Sequence, residues 1–179
     1  GKSTLLKIMC GVYKPTSGRV SVRGNVSPFI ELGVGFNGEL SARDNVFLSG
    51  VLLGMPRAKI EDRFDKIIQF AELEKFVDTK LKNFSSGMIL RLAFAISIEV
   101  DVDIYFFDEV LAVGDQRFQE KCFAVFDRFK AEKKTVVYVS HDLGTTGRYC
   151  TRCVYVANGH IVADGPTEEV LAQYRQDIT

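Results

Sequence analysis

Apolar residues recur at helical spacing in much of this 179-residue chain. Four of them, at i, i+3, i+4 and i+7, predict the buried face of one helix: Phe64, Ile67, Ile68 and Ala71. The same spacing predicts a longer helix further on, carried by Phe118, Cys122, Val125, Phe126 and Phe129. Shorter helices are predicted over 5–10 and after Gly87, the second with Leu92, Ala93 and Ile96 on its buried side.

Compact apolar runs between these helices predict short strands. Two buried strands are predicted at 103–107 and 135–140, and two shorter ones at 19–22 and 26–30. An Asn158-Gly159 turn predicts a hairpin near the end of the chain, followed by a closing helix that begins at Pro166. Because strands alternate with helices, we expect an α/β fold whose sheet is mostly parallel and covered on both faces.

Composition limits the possible partners of the chain. Lys plus Arg equals Asp plus Glu at 23 each, so the net charge gives no indication of a nucleic-acid partner. The hydrophobic fraction of 46% suffices for the core of a single domain. The sequence shows neither an apolar run of membrane-spanning length nor a signal peptide. We therefore expect a chain that does not itself cross a bilayer.

Cys150 and Cys153 form a CxxC pair among the four cysteines of the chain. Such a pair can be a redox couple or half of a zinc site. A second CxxC and histidines at ligand spacing are absent from the sequence. We therefore interpret all four cysteines as reduced thiols.

The first four residues, Gly1–Thr4, read GKST and match the last part of a phosphate-binding loop, G-x-x-x-x-G-K-[ST]. In such a loop the backbone N–H groups and the helix N-terminus face a phosphate. Lys2 would contact the β- and γ-phosphates, and the Ser3 hydroxyl could ligate Mg²⁺. We expect the front of the loop to precede Gly1. Taken alone, the tetrapeptide could equally be an ordinary polar helix start.

Polar residues also follow two predicted strands and precede one predicted helix. Asp108 and Glu109 end the strand at 103–107, where two carboxylates are costly unless a cation or a catalytic task uses them. His141 follows the strand at 135–140, and ligands of α/β sheets bind at the carboxyl ends of strands. Ser85 and Gly87 stand where a helix begins, which predicts an anion site at the positive end of its dipole.

These elements occur in a fixed order that resembles the nucleotide-binding domain of ABC (ATP-binding cassette) ATPases. The resemblance runs from the first residue to about Tyr174 and rests on GKST, FSSGM at 84–88, YFFDE at 105–109, AVGD at 112–115 and SHD at 140–142. It implies a P-loop NTPase core, residues 1–39 and 99–179, with an inserted helical subdomain at 40–98. It also implies ATP and Mg²⁺ as ligands.

The resemblance assigns roles to residues around one nucleotide. Asp108 would hold Mg²⁺ through water, Glu109 would be the general base that polarises the attacking water, and His141 would contact the γ-phosphate. Glu31 stands about where most family members have glutamine, in the loop that senses the membrane subunit. Its carboxylate could reach Mg²⁺ or water.

The resemblance also implies a homodimer. Ser85, Ser86 and Gly87 would form the signature that serves the ATP held by the opposite protomer, and Asp115 would contact that partner. The usual signature reads L-S-G-G-Q, and this chain departs from it at Phe84, Ser86 and Met88.

Segments 31–37, 84–88 and 108–115 are similar to those of ATPases that export polysaccharides or polyol phosphates such as O-antigen, capsule or teichoic acid. We therefore expect ATP hydrolysis that drives export through a separate polytopic permease, at the cytoplasmic face of the membrane. Apolar residues near Phe47, Leu48 and Leu52 are either the docking patch for that permease or the core of the subdomain. Alternatives are a soluble ABC ATPase with a mechanical role, a cassette for another substrate, or a regulatory nucleotide-binding module.

Overall fold

The computed structural model of the protein describes residues 1–27, 33–108 and 116–178. Its α-helices are α1 (Lys2–Met9), α2 (Ala42–Leu52), α3 (Arg57–Ala71), α4 (Ser86–Ser97), α5 (Gln116–Ala131), α6 (Leu143–Tyr149) and α7 (Thr167–Asp177). Its strands are β1 (Val26–Ser27), β2 (Ile104–Asp108), β3 (Thr135–Val139), β4 (Arg152–Ala157) and β5 (His160–Pro166). Short 3-10 turns at Glu74–Phe76 and Leu81–Asn83 connect α3 to α4.

The first three strands form a parallel sheet in the order β1-β2-β3. The central strand β2 is buried on both faces, since its alternating residues Tyr105, Phe106 and Phe107 are each at most 3% exposed. Phe129 of α5 stacks on Tyr105 with ring centroids 4.1 Å apart. The sequence-based prediction of an α/β fold with a mostly parallel sheet is confirmed.

The last two strands form an antiparallel hairpin. Asn158 and Gly159 both have positive φ, 49° and 80°, as a two-residue type I′ turn requires. Helix α7 packs on both strands of this hairpin, and Tyr174 meets Tyr155 edge-on at 4.9 Å.

Helices α2, α3 and α4 pack against one another. Gly50 of α2 allows the close approach of α3, since a Cβ at this position would lie 2.7 Å from the Ile60 side chain. The apolar face of α3 predicted from its spacing is buried at Ile67, Ile68 and Ala71. The division of the chain into a core and a helical subdomain at 40–98 stays a prediction.

Two buried or half-buried carboxylates tie these helices to α5. The Glu99 side chain is 5% exposed and contacts Lys66 at 2.8 Å and Arg63 at 3.0 Å, both on α3. Glu72, just after α3, contacts Arg91 of α4 at 2.9 Å and Lys121 of α5 at 3.0 Å. The hydrogen bond from Lys121 and the positive charges of Lys121 and Arg91 stabilise the ionised carboxylate. They therefore lower the pKa of Glu72.

The strand predicted at 19–22 is wrong. Residues 19–22 are exposed in the structure, and Val20 and Val22 keep 43% and 38% of their surface. An alternating pattern becomes a strand only where a neighbouring strand completes its hydrogen bonds. Within the described ranges, this segment pairs with no strand.

Candidate functional site

The carboxyl edge of the parallel sheet brings two of the predicted site residues together. The register pairs Asp108, the last residue of β2, with Val139, the last residue of β3. Ser140 and His141 follow Val139 directly, so they leave the sheet at the edge where the Asp108 carboxylate stands. Asp108 is half-buried and His141 is exposed. A carboxylate and an imidazole thus lie at the adjacent ends of two parallel strands, where α/β sheets bind ligands.

Asp142 fixes the chain immediately after His141. Its carboxylate accepts the backbone N–H of Gly144 at 2.9 Å and the hydroxyl of Thr145, which caps the N-terminus of α6. Its own N–H donates to the Ser140 hydroxyl at 3.0 Å. The Thr145 hydroxyl, followed by the backbone N–H groups of Gly144 and Thr145, lowers the pKa of Asp142.

His141 is therefore held between the end of a strand and a capped helix. The capping role of Asp142 was not assigned from the sequence. The signal was present, however, since an aspartate directly before a short helix is a preferred N-cap.

The N-terminus of α4 carries the second group of predicted residues. The Ser85 hydroxyl accepts the backbone N–H of Met88 at 3.2 Å and so caps the helix. Ser85 and Ser86 are exposed, whereas Phe84 is 8% exposed and meets Phe76 edge-on at 6.2 Å. The buried Phe84 thus anchors an exposed pair of hydroxyls at a helix N-terminus.

Gly87 is the second residue of α4, and glycine is a poorer helix former than alanine. A Cβ at Gly87 would meet only the Ser85 hydroxyl, at 3.9 Å, which is ordinary contact. Packing within the described chain therefore gives no reason for a glycine at this position. Close approach of another molecule would give one.

Gly1–Thr4 lie at the N-terminus of α1, with Gly1 in the N-cap position. The Gly1 carbonyl accepts the N–H of Leu5 at 3.0 Å, and no side chain among the described residues caps this helix. Lys2, Ser3 and Thr4 are exposed, and the first turn contains no acidic residue. The arrangement offers backbone N–H groups and one ammonium to an anion. Because α1 is not part of the sheet, the strand register does not fix its distance from Asp108.

Three predicted site residues lie outside the described residues: Glu31, Glu109 and Asp115. Their assigned roles stay predictions.

The donor set available for a metal ion suits Mg²⁺. The Ser3 hydroxyl and the Asp108 carboxylate are hard oxygen ligands, and Mg²⁺ prefers few protein ligands together with phosphate oxygens and water. Within 1–27, 33–108 and 116–178, no group of three or more His, Cys, Asp or Glu residues could hold a metal ion. The described residues therefore fit a magnesium ion that a nucleotide shares, and they do not form a cage around an independent ion.

The apolar residues of α2 divide into two sets. The Phe47 ring stacks on Phe64 of α3 at 5.9 Å and packs against the core. Phe47 is therefore a core residue and not part of a docking patch. Val51 and Leu52, at the end of α2, are each 56% exposed. Val34, which precedes α2 in the sequence, is 39% exposed. Leu52 lies across Gly35, where a Cβ would come within 2.1 Å of its side chain. We call Val34, Val51 and Leu52 the α2 patch.

In the part of the chain that the structure describes, no helix has the length and apolar character needed to span a membrane.

Comparison with known families identifies the class of protein. Residues 1–112 match the family model described as ABC transporter. The chain therefore belongs to the ABC transporter family. The ATP-binding cassette MJ0796, solved as a dimer in a post-hydrolysis state with ADP and Pi, superposes with a TM-score of 0.78 at 25% identity, covering 93% of this chain and 81% of that one. An ATP-binding subunit of an ABC transporter superposes with a TM-score of 0.80 at 22% identity, covering 98% and 78%. The fold is thus that of an ABC-type P-loop ATPase.

Sequence comparison then points to one branch of the family. The chain is 45% identical to the O-antigen export system ATP-binding protein RfbB of Myxococcus xanthus over 100% of its own length and 41% of that protein. It is 41% identical to RfbB of Klebsiella pneumoniae over 98% of the chain and 72% of that protein. It is 42% identical to the teichoic acids export ATP-binding protein TagH of Listeria monocytogenes over 97% and 52%. The chain thus spans less than half of the first of these relatives.

Proposed function

We propose that this chain is the ATP-hydrolysing cassette of an exporter that moves a lipid-linked polysaccharide or polyol phosphate through a separate transmembrane subunit. The observation that carries the hydrolytic part is the placement of Asp108 and His141 at the same edge of the parallel sheet, in a chain of the ABC family. The relatives named for O-antigen and teichoic acid export support the substrate class.

Binding of the nucleotide falls to two elements of the chain. The N–H groups at the start of α1 and the Lys2 ammonium neutralise the phosphates. The Ser3 hydroxyl and the Asp108 carboxylate would hold Mg²⁺, which neutralises charge on the β- and γ-phosphate oxygens when it is bound.

Hydrolysis needs a positioned water and a group that senses the γ-phosphate. Glu109 accepts the proton of the attacking water. His141 donates a hydrogen bond to the γ-phosphate, and the Asp142 cap holds it in position at the strand end. Little covalent chemistry is required of the protein, so catalysis rests mainly on positioning and charge.

The proposal also includes a dimer, in which α4 of one protomer faces the nucleotide bound to the other. The exposed hydroxyls of Ser85 and Ser86 are free to meet phosphate oxygens there. Gly87, which the packing of its own chain does not demand, lets the phosphate approach the helix closely.

The transmembrane subunit docks on the α2 patch and keeps the cassette peripheral to the membrane. Val34, Val51 and Leu52 are exposed apolar residues, and Val34 lies three positions after Glu31 in the sequence. An apolar contact at this patch would transmit nucleotide binding to the permease.

Phosphate release by the purified protein tests the hydrolytic assignment. Asp108→Ala should reduce turnover about 10²-fold or more, because one positioned charge is lost from the site. Asp65→Ala, an exposed aspartate on α3, is the control and should leave turnover unchanged. Equal turnover in both variants would remove the assignment.

Coupling to export is tested in a strain that lacks the chromosomal copy. Leu52→Glu should abolish surface display of the glycan and co-purification of the polytopic subunit, with basal ATP hydrolysis retained. Ile161→Glu, which charges a more exposed apolar residue on β5, should leave export intact. A deletion strain that keeps its surface glycan and loses uptake of a small nutrient would contradict the exporter proposal.

A further inference from the structure

Cys150 and Cys153 lie at the junction between α6 and β4, outside the proposed ATP site. Cys150 is the C-cap of α6, and its N–H donates to the Thr146 carbonyl at 3.0 Å. The chain bends at Thr151, and Cys153 is the second residue of β4. Only Cys150 and Thr151 lie between the end of α6 and the start of β4. The CxxC pair therefore spans a sharp corner of the backbone.

One buried side chain holds both cysteines at this corner. The Thr167 hydroxyl, at the start of α7, donates to the Cys150 carbonyl at 2.7 Å. The Cys153 thiol in turn donates to the Thr167 hydroxyl oxygen at 3.4 Å. Thr167 itself is 5% exposed. The two thiols lie within hydrogen-bonding reach of each other, and both are half-buried.

We propose that Cys150 and Cys153 form a dithiol modification site that closes to an intramolecular disulfide by exchange with a small-molecule disulfide such as oxidised glutathione. The first thiolate attacks a glutathione sulfur, which forms a mixed disulfide and releases one reduced glutathione. The second thiol loses its proton to water, attacks the protein sulfur of that mixed disulfide and releases the second glutathione. Two protein thiols are oxidised, and one glutathione disulfide is reduced to two thiols.

The surroundings set the rate of closure. Burial raises the pKa of Cys150 to about 11, and the neighbouring Cys153 thiol adds to this effect. Cys150 is therefore protonated at neutral pH. Because the thiolate is the nucleophile, closure should become faster as the pH rises.

The disulfide would join the C-terminal end of α6 to strand β4 of the hairpin. The other end of α6 is already fixed by the Asp142 cap. Closure should therefore suppress opening of the last turn, where the amide of Cys150 bonds to Thr146. Opening of this turn, measured by amide exchange, and formation of the disulfide can both be followed without ATP hydrolysis. This proposal can therefore fail independently of the proposed function.

Trypsin offers a direct assay because Arg152 stands between the two cysteines. Cleavage there yields peptides 149–152 and 153–175, which only a disulfide keeps together. The purified protein is treated with excess oxidised glutathione at mildly alkaline pH, digested without reductant and analysed by mass spectrometry. The linked pair of peptides should be the main product, and reductant should separate it.

Variants distinguish closure from simple thiol modification. Cys150→Ser should trap a glutathione adduct on Cys153, and Cys153→Ser should give no linked peptides. Cys10 is the matched control, since burial alone raises its pKa to about 11. It should acquire at most a glutathione adduct.

Two outcomes would overturn the proposal. One is a wild-type protein whose Cys150 and Cys153 end as separate glutathione adducts, or remain reduced while Cys10 reacts. The other is zinc that co-purifies with the wild type and is absent from both serine variants, which would make the pair a metal site. In the favourable case, amide exchange at Cys150 slows on oxidation and recovers on reduction.

Discussion

Two helix N-termini are proposed to meet phosphate, and the structure builds them differently. Helix α4 is capped by the Ser85 side chain, and its later residues, Leu92–Ser97, are all buried. Helix α1 has no side-chain cap, and Leu6 is its one buried residue. The N-terminus of α4 is therefore positioned by its own chain, whereas that of α1 is held mainly by Leu6.

Charge pairs increase this difference. Arg91 of α4 bonds Glu72, and Glu99, two residues beyond the end of α4, is buried among Lys66 and Arg63. A buried carboxylate is stable only while its partners remain, so these pairs fix α4 against α3. On α1, the half-buried Lys7 lies over the Tyr13 ring at 5.6 Å, which is a contact between residues close in sequence.

The two helix starts would act on different nucleotides of the dimer. The start of α1 would face the nucleotide of its own chain, and the capped start of α4 would face that of the partner. Variants at α1 should therefore act through ligand contact, and variants at α4 through both contact and stability.

The largest effect is expected at α1. Lys2→Ala removes the ammonium from the phosphates and should lower ATP turnover about 10²-fold or more. Phosphate release measures this effect, and Lys7→Ala, on the same helix, is the control that should retain turnover. The thermal unfolding midpoint of Lys2→Ala should stay that of the wild type, because Lys2 is exposed. A large drop in the midpoint for Lys2→Ala would show that α1 is better anchored than its burial indicates.

The next effect separates binding from hydrolysis. Glu109→Gln keeps the shape of the side chain but cannot accept a proton, so ATP should bind and accumulate in a closed dimer. Size-exclusion chromatography with ATP and Mg²⁺ should show the dimer, and adding Ser85→Ala should weaken it. A Glu109→Gln protein that stays monomeric at high protein and ATP concentration would contradict the proposed two-site sandwich.

Some of this organisation was predictable from the sequence. The spacing of Phe64 to Ala71 predicted α3 because one face of it is buried against neighbouring helices. The placement of Asp108 and His141 at one edge of the sheet followed from the rule that parallel strands end at the same edge. Asn158-Gly159 predicted the hairpin because few other dipeptides adopt two positive φ angles.

Other features depended on tertiary contacts that the pattern does not contain. Val20 and Val22 alternate as in a strand, but only a neighbouring strand could have made them one. Phe47 and Leu52 are both apolar residues of α2, and the position of Phe64 decides that only Phe47 is covered. The Thr167 hydroxyl bonds to Cys150 and Cys153, which are distant from it in sequence. No local pattern therefore predicts these hydrogen bonds.

A smaller effect should separate contact from stability at α4. Ser85→Ala removes an N-cap and should destabilise the protein by about 1 kcal/mol. Ser41→Ala removes the equivalent cap of α2, where the hydroxyl accepts the Asp44 N–H at 3.1 Å. Both variants should lower the free energy of unfolding similarly, but only Ser85→Ala should also reduce turnover. Equal turnover in the two would mean that the Ser85 hydroxyl is only a cap.

The smallest effect concerns a third helix start, that of α6. The pKa of Asp142 is lowered from 3.8, chiefly by the Thr145 hydroxyl, so its charge stabilises the folded protein at pH values above 3.8. That contribution should be lost as the pH falls through the lower pKa of the folded state. Asp142→Asn keeps an acceptor for the Gly144 N–H but removes the charge. Its deficit in thermal unfolding midpoint should be small at neutral pH and should shrink on acidification below 3.8. A deficit that is independent of pH would assign the role of Asp142 to cap geometry and not to its charge.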